Sequence, residues 1–150
     1  MKKTAIPRQQ NQGGFTLIEI MVVIVILGIL AALVVPNIMG RPDEARISAA
    51  KSDLKAISNA LNLYRLDNYN YPSTDQGLQA LVNKPSGEPE AKNWNPDGYL
   101  SKLPKDGWGN EYQYLSPGAH GKFDLYSLGA DGREGGEGVD ADITSWELDQ

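Results

Sequence analysis

The chain is expected to be α+β: a long N-terminal helix, apolar throughout in its first half and amphipathic in its second, packed on a small antiparallel sheet. Three observations predict this. Apolar residues crowd into 15–39 (FTLIEIMVVIVILGILAALVVPNIM), one apolar stripe at helical spacing runs over 47–64, and short strand-like segments separated by turn formers follow later. A length of 150 residues suits one ordinary domain. The 14 Lys and Arg against 19 Asp and Glu leave a net charge of −5 and no basic face to follow a phosphate backbone, so nucleic acid is not an expected partner. The absence of cysteine excludes disulfide frameworks, thiolate zinc sites and cysteine nucleophiles together.

The first element is the apolar run. No charged or strongly polar side chain occurs from Ile20 to Val35, and with Phe15–Ile18 the stretch comes close to the roughly 20 residues that span about 30 Å of hydrocarbon. The leader Met1–Gly14 carries Lys2, Lys3 and Arg8 and no acid, which predicts a cytoplasmic leader and an exported remainder. A secretory signal would have a shorter apolar core and a small-residue cleavage site after it. Here the small residues Gly13 and Gly14 stand in front of the run, so cleavage there keeps the membrane helix. An uncleaved single-pass anchor is the plain alternative.

Glu19 bears on that choice, because an acid inside an apolar helix costs about 2.5–3.5 kcal/mol at the bilayer centre. Cleavage between Gly14 and Phe15 creates an α-amine four residues before Glu19, at the positive end of the helix dipole. Between staggered chains, the carboxylate of one could meet the amine of its neighbour, which favours polymerisation. Glu19 reaching water at the membrane interface is the competing reading.

Gly14-Phe15-Thr16-Leu17-Ile18-Glu19, followed by the long apolar run, resembles the class III signal of type IV pilins and pseudopilins. The resemblance implies a prepilin peptidase cutting after Gly14, N-methylation of Phe15, and a role for Glu19 in assembly. The chain is then a substrate of processing and not an enzyme.

Pro36 and Pro42 predict a helix that kinks or loosens between Val35 and Asp43 without ending. Beyond them Ile47, Ala50, Leu54, Ile57, Leu61 and Tyr64 form one stripe, with Arg46, Lys51, Asp53, Lys55 and Arg65 on the other faces. A continuous helix from Phe15 to about Leu66 would be roughly 78 Å long. The stripe faces either the chain's own core or a foreign coiled coil, the former being the commoner meaning. Asn68 and Pro72 close the helix, and Gln76–Asn83 is expected to be a short amphipathic helix capped by Thr74 or Asp75. The stretch 85–98 reads as an ordered surface loop pinned by Trp94. Two strands, Glu111–Leu115 and Lys122–Leu128, predict a small antiparallel sheet, with Phe123, Leu125 and Tyr126 covering the helix stripe.

From Gly129 the composition turns glycine-rich and acidic, which by itself predicts a solvated tail. Ile143 and Trp146 argue instead that the segment folds back and docks. Asp131, Asp140 and Asp142, among glycines that let carbonyls turn inward, supply hard oxygen donors of the kind Ca²⁺ takes, although the spacing is not that of an EF-hand. Both readings stand on composition alone.

Tyr71-Pro72, Gln76-Gly77-Leu78, Ala80-Leu81-Val82, Gly98-Tyr99, Leu103-Pro104, Trp108-Gly109, Tyr112-Gln113, Leu115-Ser116-Pro117-Gly118 and Ser127-Leu128-Gly129-Ala130-Asp131-Gly132 occur in an order similar to the general secretion pathway protein G family, the major pseudopilins of type II secretion. Gly107 departs from the family, where Pro commonly precedes the Trp-Gly pair, and predicts a more flexible turn. The resemblance implies a type IV pilin-like fold with a C-terminal metal-binding loop. That loop would hold a structural Ca²⁺ by the Leu128 carbonyl, Asp131, Asp140 and Asp142, with the Arg133 and Val139 carbonyls as further candidates. It also implies a cleaved leader 1–14, a transmembrane and assembly helix 15–39, and a periplasmic globular domain 40–150.

The implied protein is an inner-membrane, single-pass subunit that assembles as a homopolymer into a periplasmic pseudopilus, driving folded exoproteins through the outer-membrane secretin. Its implied partners are minor pseudopilins, the prepilin peptidase, an inner-membrane platform and a cytoplasmic ATPase. A type IV pilin for adhesion, motility or DNA uptake is the neighbouring alternative, disfavoured because such pilins usually close a C-terminal loop with a disulfide. A membrane-anchored enzyme using Asp131, Asp140 and Asp142 is the third reading. It is weakened by a single histidine, His120, in a turn sequence and by the lack of Gly-x-Ser-x-Gly or His-Glu-x-x-His.

Overall fold

The computed structural model describes residues 14–38 and 41–148, and their side chains outside 33–41. The leader's Lys2, Lys3 and Arg8 lie outside the described residues, as do residues 39 and 40, where continuity of the long helix and the expected domain boundary would be decided. The chain divides into two compact units, 1–40 and 41–150.

In the first unit, helix α1 covers Leu17–Ile38, 22 residues or about 33 Å, and its backbone continues past Pro36. It starts with a reciprocal cap: the Thr16 N–H donates to Glu19 Oε2 at 3.4 Å and the Glu19 N–H to Thr16 Oγ1 at 3.3 Å. Every described side chain of α1, from Leu17 to Ala32, is exposed. A helix that is apolar on all sides is stable only when lipid or other protein covers it. Among the described residues no helix is long and apolar enough to cross a membrane, the described side chains of α1 covering about 24 Å of its length.

The second unit is built around helix α2, Arg41–Asn68, which carries Pro42 in its first turn, where a missing N–H costs nothing. Ala50, Leu54, Ile57, Leu61 and Tyr64 are buried as the stripe predicts, joined by Ala60, with Ile47 packed at the margin. The stripe ends in a polar residue. Asn68 is buried, its amide donating to the Tyr64 carbonyl and the Tyr99 hydroxyl at 3.0 Å each and its Oδ1 accepting the Asn93 N–H at 3.1 Å. The helix therefore closes where it also anchors the following loop. Tyr69 takes the left-handed conformation (φ 67°) that stops it, donating its N–H to the Arg65 carbonyl.

The expected helix over Gln76–Asn83 is shorter and tighter, a 3₁₀ turn at Leu78–Leu81 with no side-chain cap. Thr74 is engaged elsewhere, its hydroxyl donating to the Ser116 carbonyl at 3.0 Å and accepting the Ser116 N–H at 2.9 Å. Ser73 and Gln76 instead bracket the preceding turn, each backbone N–H donating to the other's side chain. The Gln76 amide also donates to the carbonyls of Ser86, Gly87 and Pro89, and Trp94 Nε1 donates to the Ala80 carbonyl at 2.8 Å, so the 85–98 loop is pinned as expected.

Among the described residues the sheet has three strands, not two: β1 (Gln113–Leu115), β2 (Asp124–Ser127) and β3 (Ile143–Thr144), antiparallel in the order β1-β2-β3. Ser127 pairs with Ile143 and Tyr126 with Thr144. A two-residue strand leaves no alternating pattern to read, which is why β3 was not expected. Leu125 and Ile143 join the core on α2, with Phe123 packed at its edge. Tyr126 does not cover the stripe; alternation turns it to the other face, where its ring meets Trp146 at 6.0 Å.

Candidate functional site

Two places concentrate the residues expected to act. The first is the start of α1. Gly14, Phe15 and Thr16 are non-helical, and Phe15 is 79% exposed, so the Gly14–Phe15 bond lies in open chain ahead of the first helical turn. Glu19 closes the capping box with Thr16, a local partner beyond the interchain role expected of it, and one whose Thr-x-x-Glu signature is legible in the sequence.

The second is the loop between β2 and β3, which folds back and docks as Ile143 and Trp146 suggest. Ile143 is buried in β3. Trp146 stacks on His120 at 4.0 Å with the rings 7° apart. His120 is tied in turn to Asp124, its Nδ1 lying 3.1 Å from Oδ2. The carboxylate of Asp124 also accepts the N–H groups of Ala119 (2.8 Å) and His120 (3.0 Å). Burial alone would raise its pKa; the two N–H donors and the His120 imidazole outweigh that and hold it below the usual carboxylate value.

Within the loop the two legs cross at Gly129. A Cβ there would stand 2.7 Å from the Asp140 carbonyl oxygen and 2.8 Å from that of Ala141, and φ is +67°, so only glycine fits. The Ala130 N–H donates to the Val139 carbonyl at 2.9 Å and ties the legs together. Of the expected ligands, Asp131 is exposed and its Oδ1 accepts the Arg133 N–H at 3.0 Å. Asp140 ends the 3₁₀ turn Gly138–Asp140, with its carbonyl 2.5 Å from where a Gly136 Cβ would be. Asp142 reaches across the loop: Oδ2 accepts the Gly135 N–H at 3.0 Å, and Oδ1 is buried with no partner among the described residues. Leu128 stands just after β2. Among the described residues no three acidic or histidine side chains converge as a metal-holding group.

The donor set nevertheless suits a hard cation. Asp142 Oδ1, a buried carboxylate oxygen with no donor among the described residues, is costly unless a cation completes it, and Gly129 and Gly136 let the Asp140 and Ala141 carbonyls approach closely in the same loop.

Gly107 is a close approach, not simply a loose turn. A Cβ there would meet Arg46 Cβ of α2 at 2.6 Å. The adjoining Asp106 is buried; its Oδ2 accepts the Ser127 hydroxyl at 2.7 Å, and its Oδ1 the N–H groups of Trp108 and Asn110. Nothing in the local sequence pattern distinguishes this aspartate from the surface acids around it.

A family model described as type II secretion system protein G matches residues 37–146, and one described as a prokaryotic N-terminal methylation motif matches residues 9–35. The chain is 67% identical over 140 residues to the type II secretion system core protein G of Pseudomonas aeruginosa, covering 93% of this chain and 99% of that one. To the proteins of the same description it is 56% identical over 141 residues in Vibrio cholerae (94% and 96% covered) and 54% over 138 residues in Escherichia coli K12 (92% and 93%). Among solved structures, the major pseudopilin of the type 2 secretion system of enterohaemorrhagic Escherichia coli superposes with a TM-score of 0.66 at 48% identity, covering 76% of this chain and 97% of that one.

Proposed function

We propose, from the premise that this chain belongs to the type II secretion system protein G family of major pseudopilins, that it polymerises from the inner membrane into the pseudopilus that drives folded exoproteins through the outer-membrane secretin. The family is structural, and the chain is not an enzyme. The observation that carries the polymerisation is α1, 22 residues long, apolar, and exposed at every described side chain. Such a surface needs a cover, which the bilayer supplies before assembly and neighbouring α1 helices supply afterwards. The prepilin peptidase cuts at Gly14, Phe15 becomes the methylated N-terminus, and the Glu19 carboxylate pairs with the amine of a neighbouring subunit. Minor pseudopilins, the inner-membrane platform and the cytoplasmic ATPase are the partners this assembly requires.

In the exported domain, the Leu128 carbonyl, Asp131, Asp140 and Asp142 would hold Ca²⁺. When bound, the cation neutralises the acids and ties the two legs of the loop. The chain's own contribution is the docking: β3 and Trp146 hold the returning leg, and Asp142 offers its buried, unpartnered Oδ1.

Deletion of the gene in its source bacterium, scored for exoproteins in the supernatant beside surface pili and twitching, tests the role. Exoproteins trapped in the periplasm with pili intact are expected. Normal secretion with lost pili would make the chain a type IV pilin and refute the secretion role.

A further inference from the structure

We infer that Ser127, held by the buried Asp106 and assisted by Asn110, is a positioning residue that presets the Leu128 carbonyl for the calcium site. The inference rests on the calcium reading above. Ser127 is fully buried, and its hydroxyl bridges two groups: it donates to Asp106 Oδ2 at 2.7 Å and accepts the Gly129 N–H at 3.3 Å. That N–H belongs to the same peptide plane as the Leu128 carbonyl. In a trans peptide the two point in opposite directions, so drawing the Gly129 N–H to Ser127 turns the Leu128 oxygen away from that hydroxyl.

The next peptide is held as well, because Asn110 Nδ2 donates to the Gly129 carbonyl at 3.2 Å. Asn110 is itself fixed by Asp106, whose Oδ1 accepts its N–H at 2.8 Å. One buried carboxylate thus orients both side chains that grip Gly129, from a turn packed on α2 and distant in sequence from the loop. Burying a serine and an aspartate this way costs desolvation that an apolar pair would avoid. Function accounts for the choice: outer partners that fix a ligand's direction typically control metal affinity.

The test uses the unit Arg41–Gln150, which is compact and carries its own hydrophobic core. Calcium chloride is titrated by calorimetry into wild type, Ser127→Ala, Asn110→Ala and Ile57→Val, with Tm measured in EDTA. Ser127→Ala should weaken the calcium Kd by roughly tenfold to a hundredfold and Asn110→Ala in the same direction, with faster amide exchange at Gly129. Ile57→Val loosens the same core with the hydroxyl network intact; it should lower Tm and leave Kd unchanged. Should Ser127→Ala fail to fold, Asn110→Ala decides. Wild-type affinity in the folded variants overturns the inference while the calcium site stands. A wild-type unit that shows neither binding heat nor a calcium-dependent rise in Tm overturns the calcium reading and this inference with it.

Discussion

Replacing Gly129 by alanine should unseat the C-terminal loop, and the size of the effect follows from two separable costs. Its φ of +67° lies in the left-handed region, where a residue with a Cβ is disfavoured by roughly 1–2 kcal/mol. The new methyl would also stand 2.7 Å from the Asp140 carbonyl oxygen and 2.8 Å from that of Ala141, both backbone atoms that cannot swing aside. Forcing such contacts typically adds about 1–3 kcal/mol. Gly135 supplies the control, since it has φ +92° and nothing within 4 Å of its Cβ position, so Gly135→Ala carries the backbone cost without the collision. For a unit of this size each kcal/mol shifts Tm by about 4 °C, so Gly135→Ala should lower it by about 4–8 °C and Gly129→Ala by a further 4–12 °C. Thermal unfolding of Arg41–Gln150 followed by circular dichroism in EDTA reads both, with no metal to confuse the comparison. If the two variants melt within about 2 °C of each other, the crossing of the loop legs at Gly129 is refuted.

The pKa of Asp124 is held below its ordinary 3.8, so its stabilising effect is complete above about pH 4 and is lost as pH falls through the lower folded value. Asp124→Asn should flatten the acid limb of a Tm-against-pH curve, and an unchanged limb would show the His120–Asp124 turn to be unimportant. Asp142→Asn removes the charge on a carboxylate whose Oδ1 is buried without a donor among the described residues, and its amide oxygen can still accept the Gly135 N–H, so it should hold or raise Tm in EDTA while abolishing the rise on adding calcium; a lower Tm in EDTA with the calcium increment intact contradicts the metal loop. Glu19→Gln keeps an acceptor for the Thr16 N–H but loses the charge, whereas Glu19→Ala loses both. Immunoblots should show cleavage after Gly14 in both, with fibres in neither; fibres from Glu19→Gln would mean that capping, and not pairing between chains, is what Glu19 does.

A feature of this fold is legible in the sequence when it is periodic or local. The stripe Ala50-Leu54-Ile57-Leu61-Tyr64 is the core face of α2 because a 3.6-residue period places those positions on one side in any fold that keeps the helix. The apolar run of α1, the Gly14–Phe15 junction and Glu19 are contiguous signals needing no tertiary context. Trp94 and Trp146 announced docked segments because large aromatics in polar stretches must be covered. Tertiary structure alone decided the rest. Two residues suffice for β3 only because β2 is already there to pair with Ile143 and Thr144. Tyr126 left the core because alternation gave the inward place to Leu125 and Ser127. Asp106 looked like any surface acid, since what makes it a buried anchor is the hydroxyl of Ser127, 21 positions away in the chain, and such a partner is set by how the chain folds back and not by any local pattern.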